Sequence, residues 1–77
     1  MPKIKPLHWK VIARAFERDG WRLDRIAGDH VVVYVKAGYP RPVVFPKEKE
    51  IDVFIIKNNL KTARMTRERF FELLGKR

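Results

Sequence analysis

The residue of this chain best suited to chemistry is His30, which follows Gly28 and Asp29 and opens a run of β-branched residues. An imidazole can take up and release a proton near neutral pH, which makes histidine a common general acid or base. Cleavage of RNA needs little more than such proton transfer and neutralisation of a phosphate, because the attacking 2′-hydroxyl belongs to the substrate. A histidine that begins a strand is more often an ordinary surface residue, so its position alone leaves both interpretations open.

Three side chains near His30 in the sequence have two interpretations each. Asp29 either orients the imidazole or simply forms a turn, which is the commoner role of an aspartate after a glycine. Tyr34 is predicted to share the sheet face of His30, where it could support a base or the ring, or fill a cross-strand contact. His8 is expected to cap the first helix or to face solvent, and it is not the catalytic candidate.

Most other catalytic constellations are missing from the sequence. The chain has no cysteine, and its two histidines are too few for a convincing metal site, so we expect neither a metal nor a cofactor. It also contains no P-loop and no Gly-x-Ser-x-Gly motif.

The charge of the chain favours a polyanionic partner. Its 77 residues carry 18 basic and 9 acidic side chains, a formal net charge of +9. A field of this sign attracts nucleic acid first, although an anionic protein or lipid surface would profit from it too. We expect a single domain over residues 1–77, in the cytoplasm and without a membrane span, because no apolar run approaches the length of one. Its oligomeric state is not indicated by the sequence.

The periodicity predicts a first helix near the start of the chain. Apolar residues recur at helical spacing from Trp9 to Asp19, and Gly20 is the expected stop. Lys10, Arg14 and Arg18 form a basic stripe on this helix. Trp9 and Trp21 flank it at a spacing typical of core residues, with base stacking as the alternative.

The middle of the chain predicts three strands. Residues 21–24 alternate in polarity, residues 30–36 form a second strand after a turn at Gly28 and Asp29, and residues 43–45 form a third. In the second strand we expect Val31, Val33 and Val35 to face the core. His30, Val32, Tyr34 and Lys36 would then face the open side of the sheet.

Two further helices complete the predicted fold. Asp52 is expected to cap the second helix, Thr66 to cap the third, and Gly75 to end it. The order α-β-β-β-α-α predicts an α+β fold, with a three-stranded antiparallel sheet covered by helices on one face.

In this order of elements and in its motifs, the chain resembles the HicA toxin family from about Leu7 to Leu74. The markers are Val11-Ile12, Asp19-Gly20-Trp21, Gly28-Asp29-His30, Tyr34, Val43-Val44-Phe45-Pro46 and the tail from Thr66 to Leu74. The resemblance implies a double-stranded-RNA-binding-like fold and a metal-independent endoribonuclease that cleaves messenger RNA. It implies that His30 is the catalytic residue, and that a HicB-like antitoxin protein binds the chain.

A basic surface would hold the phosphates of the RNA. Its predicted members are Lys36, Arg41, Lys57 and Lys61, with Gly28, Asp29 and Tyr34 in supporting positions. The second proton carrier is not indicated by the sequence. Two other functions stay open: a non-catalytic RNA-binding module on the same fold, and a protein-interaction domain for an acidic partner.

Three segments of the chain depart from the family pattern. Many relatives carry another histidine where this chain has Lys47 and Glu48, and a Gly-Thr-Leu start to the second helix where it has residues 53–55. Asn58 and Asn59 replace a more apolar pattern within that helix.

Overall fold

The computed structural model describes residues 3–75 and has the predicted α+β layout. The two residues at each end of the predicted domain lie outside this range. The elements are α1 (Trp9–Arg18), β1 (Arg22–Ala27), β2 (Val31–Val35), β3 (Val43–Pro46), α2 (Val53–Thr62) and α3 (Arg67–Leu74). The strands form one antiparallel sheet in the order β1-β2-β3. Among the helices of residues 3–75, none is long and apolar enough to cross a membrane.

Side-chain caps fix the start of each helix. His8 Nδ1 accepts a hydrogen bond from the Lys10 amide at the start of α1. Asp52 and Thr66 cap α2 and α3 in the same way, as the sequence predicted. Each cap satisfies an amide that the helix itself leaves without a partner.

The core lies between the helices and one face of the sheet. That face contributes Val32, Tyr34, Val43 and Phe45, all buried in one apolar cluster. The ring of Phe45 lies at 6.3 Å from that of Phe16 and 6.0 Å from that of Tyr34. Burial of these large side chains is the main stabilising contribution in a domain of this size.

The predicted faces of β2 were wrong. Val32 and Tyr34 point toward the helices, so by strand alternation Val31, Val33 and Val35 lie on the opposite, open face. Both faces of this strand are apolar, and the aromatic partners on the helices decide which of them is covered. The open face therefore carries valines, and Tyr34 is not on it.

The outer edge of β3 is closed by a side chain of α2. The Asn59 amide group donates to the Val44 carbonyl oxygen (2.9 Å) and accepts from the Val44 amide (3.1 Å). This pair of hydrogen bonds imitates a further strand, and it explains a buried polar residue in the middle of a helix. At the other edge, β1 has a register shift between Leu23 and Arg25 and is largely exposed.

Candidate functional site

His30 closes a tight turn between β1 and β2. Gly28 and Asp29 both have positive φ, 57° and 61°, and the His30 amide donates to the Ala27 carbonyl oxygen at 3.1 Å. Two successive residues of positive φ are typical of a type I′ turn, whose twist suits a hairpin. The side chain of His30 is exposed at the end of this turn.

Lys47 lies opposite His30 at the end of the antiparallel pairing between β2 and β3. Val31 pairs with Pro46, and the ladder continues by one further bond, from the Lys47 amide to the His30 carbonyl oxygen at 2.7 Å. Opposed residues of an antiparallel pair have Cβ atoms about 5 Å apart. Alternation from Val32 and Phe45 places both side chains at the rim of the helix-covered face. The prediction that His30 lies on the open face was therefore wrong.

Trp9 begins α1 next to the same rim. Its amide donates to the Glu48 carbonyl oxygen at 3.0 Å, which ties α1 to the segment that follows β3. The ammonium groups of Lys47 and Lys10 lie 5.7 and 5.9 Å from the centroid of its ring. The half-buried ring borders a groove of about 290 Å³ between α1 and the sheet.

Tyr34 supports this groove from inside the core. It is 2% exposed, and its hydroxyl donates to Glu17 Oε2 of α1 at 2.5 Å. Burial, together with the hydrogen bond and the charge of Glu17, raises the pKa of Tyr34. Tyr34 therefore keeps its proton at neutral pH and joins β2 to α1. Its ring is covered by the core, so it cannot stack on a base.

Lys36 lies at the end of β2 remote from His30, roughly 20 Å away at about 3.3 Å per residue. Its ammonium donates to the carbonyl oxygen of Asp19 at 2.7 Å and lies 3.5 Å from the carboxylate of the same residue. Arg69 also donates to that carboxylate, and this hydrogen bond is the main cause that raises the pKa of Arg69. Lys36 is thus engaged within the fold.

The other three predicted RNA-binding residues come together, but far from His30. Arg41 and Lys61 line one groove with Arg64, and Lys57 lines the adjoining groove with Lys61 and Arg64. Arg41 precedes β3 whereas Lys47 follows it, which separates this basic surface from His30 by roughly 20 Å. The basic stripe of α1 lines a third groove, formed by Lys10, Val11, Arg14, Arg18 and Leu74.

Sequence reasoning missed Lys47 as the residue opposite His30, and Trp9 as a neighbour of Lys47. The register of β2 and β3 would have revealed Lys47, but the connection at residues 37–42 does not fix that register. Within residues 3–75 no group of three or more histidine or carboxylate side chains could hold a metal ion.

The fold defines a small α+β domain with a histidine on a tight turn. A family model described as the HicA toxin of bacterial toxin-antitoxin systems matches residues 9–65. The chain therefore belongs to the HicA toxin family. No curated protein and no solved structure matches the chain significantly. The match ends before α3, so the tail that was among the predicted markers lies outside it.

Proposed function

We propose that this toxin is an endoribonuclease that cleaves messenger RNA, with His30 as its general acid or base. One observation carries the proposal: in a chain of this family, the exposed imidazole of His30 lies on a tight turn, and Lys47 lies opposite it in the pairing of β2 with β3. His30 supplies proton transfer, and the Lys47 ammonium supplies a positive charge for the scissile phosphate.

The reaction follows from what RNA itself provides. His30 takes the proton of a 2′-hydroxyl, and the 2′-oxygen forms a bond to the adjacent phosphorus. The bond from phosphorus to the 5′-oxygen breaks, and that oxygen takes up a proton from water. The products carry a 2′,3′-cyclic phosphate and a 5′-hydroxyl, and no step needs a metal ion or a cofactor.

The test compares wild type with His30→Ala on one RNA oligonucleotide and on DNA of the same sequence, with and without EDTA. We expect cleavage of RNA only, unaffected by EDTA, and a rate at least about 100-fold lower for the variant, the usual share of a general acid or base. Equal cleavage by His30→Ala, or cleavage of the DNA, would overturn the proposal. Induction of both proteins in cells should arrest growth only for wild type.

Membership of a toxin-antitoxin family implies an antitoxin partner. We propose that it is a HicB-like protein that presents acidic groups to the rim of the sheet where His30 and Lys47 lie, because the chain has a net charge of +9. A toxin that cleaves messenger RNA acts in the cytoplasm, and so would its antitoxin.

A second function is favoured by the groove of Arg41, Lys61 and Arg64. Its distance from His30 fits RNA binding that is separate from cleavage. A non-catalytic RNA-binding module would bind RNA in a salt-dependent manner and leave it intact. Its affinity for RNA would be the same in wild type and in the His30→Ala variant.

A further inference from the structure

We infer that Trp9 is a stacking platform for an unpaired RNA base next to the phosphate at His30. The inference rests on the proposed function, because it names the part of the substrate that this rim recognises. It assigns a binding role to the first residue of α1, and single-stranded RNA as the ligand.

Trp9 and His30 are held to one short segment by two main-chain hydrogen bonds. The Lys47 amide binds the His30 carbonyl oxygen, and the next residue, Glu48, accepts from the Trp9 amide. Two such bonds span about 10 Å, at about 4.8 Å between neighbouring chains. A nucleotide whose phosphate lies at His30 can thus bring an adjacent base to the indole.

The two tryptophans of the chain have different surroundings. Trp21 is 2% exposed and packs edge-on against Phe16, with 5.9 Å between the ring centroids. Trp9 is half-buried: its ring packs in part against the core and stacks on the ring of His8, with 6.2 Å between the centroids. The exposed side chains near its ring are those of Lys10 and Lys47. Trp21 is thus covered on all sides, whereas Trp9 keeps part of its aromatic surface exposed beside two flexible cations.

This combination matches what single-stranded nucleic acid offers. Every base has a flat π-face that stacks on an indole, and the flanking phosphates attract ammonium groups. The lysine side chains are long enough to leave the ring and bind those phosphates when a base arrives. A paired base is already stacked in its helix, so the platform selects unpaired segments.

The experiment uses a 2′-O-methyl RNA oligonucleotide, which cannot be cleaved, and an abasic oligonucleotide with the same number of phosphates. Wild type is compared with Trp9→Phe and Trp9→Leu, after thermal unfolding has shown that both variants fold. We expect Trp9→Leu to bind the base-bearing oligonucleotide about tenfold more weakly and Trp9→Phe to stay within about threefold, because only phenylalanine keeps a stacking face. The abasic oligonucleotide should bind all three proteins equally.

Equal binding of the base-bearing oligonucleotide by wild type and Trp9→Leu would overturn the inference. The same holds if Trp9→Leu weakens both oligonucleotides alike, since that result means a general loss of the phosphate surface. If Trp9→Leu does not fold, the fluorescence of Trp21→Phe decides, because Trp9 is then the single tryptophan and can be excited selectively. Base-bearing RNA must quench it and abasic RNA must not.

Cleavage of ordinary RNA by wild type is measured in parallel. Intact RNA with base-dependent binding at Trp9 would refute the nuclease and support the platform. Cleaved RNA with no effect of Trp9→Leu on binding would refute the platform and leave the nuclease in place.

Discussion

The main-chain amide of Lys47 donates to the carbonyl oxygen of His30 over 2.7 Å, as the last bond of the ladder between β2 and β3. On its other side, His30 is bound through its own amide to the Ala27 carbonyl oxygen. The backbone of His30 is therefore held from both neighbouring strands, and only its side-chain torsions remain free. A general acid or base gains from such fixation, because small displacements from the reacting atoms are costly.

Lys47→Gln is expected to weaken both RNA binding and cleavage. The variant removes the ammonium group opposite His30, so cleavage should fall about 100-fold, the lower end of the loss for one group that stabilises charge in the transition state. The slope of log K against log salt should decrease by about 0.7, the value for one phosphate contact on a single strand. Lys49→Gln changes the net charge equally and is the matched control. Equal effects of the two variants would show that only total charge matters.

Asp29 is expected to serve the turn and not the chemistry. Its φ of 61° is a conformation that glycine adopts readily and β-branched residues resist. Asp29→Gly should therefore leave the free energy of unfolding nearly unchanged and the cleavage rate within about twofold of wild type. Asp29→Val should lower the free energy of unfolding by about 1–2 kcal/mol. Chemical unfolding and an RNA cleavage assay measure the two effects. A large loss of cleavage in Asp29→Gly, with stability unchanged, would instead assign the carboxylate to the imidazole.

The local features of the fold could be predicted from sequence because neighbouring residues determine them. Asp52 and Thr66 cap their helices with their own side chains, and Gly28 and Asp29 supply the torsions of the turn. The faces of β2 were not predictable in this way. One face carries Val31, Val33 and Val35 and the other carries Val32 and Tyr34, so both are largely apolar. Contacts with Phe16 and Phe45, distant in sequence, decide between them.

The candidate site was predictable only in part, for the same reason. The triplet that ends in His30 is a local signal. The positions of Lys47 and Trp9 depend on the register of β2 with β3 and on the bridge between Leu7 and Ile51. The sequence predicted Lys36 to be free to bind RNA, but β2 places its ammonium group against the carbonyl oxygen of Asp19.

Asn59→Ala is expected to destabilise the protein by about 2–3 kcal/mol, because the amide and carbonyl of Val44 lose their partners beside a buried helix face. Asn58→Ala is the control, since Asn58 is exposed on the same helix. Denaturant unfolding measures both free energies. Asn59→Leu restores the apolar pattern at this position, and it should be destabilised too if the two hydrogen bonds decide. A stability of Asn59→Leu equal to wild type would show that packing alone closes the edge.

Tyr34→Phe is expected to lose a stabilising contribution that depends on pH. At neutral pH the variant lacks the hydrogen bond to Glu17 and should be about 1 kcal/mol less stable. Burial raises the pKa of Tyr34 in the folded protein above that of the unfolded chain. Above about pH 10 the unfolded chain therefore releases a proton that the folded protein keeps, and the contribution of Tyr34 declines by up to about 1.4 kcal/mol per pH unit.

The measurement is the difference in free energy of unfolding between wild type and Tyr34→Phe, taken from pH 7 to pH 11. All other titratable groups are the same in both proteins, so their effects cancel in this difference. We expect a constant difference up to about pH 10 and a decline beyond it, because that is where an unfolded tyrosine ionises. A difference that stayed flat through pH 11 would mean that Tyr34 ionises equally in both states. Neither burial nor Glu17 would then favour the neutral hydroxyl of Tyr34 over its ionised form.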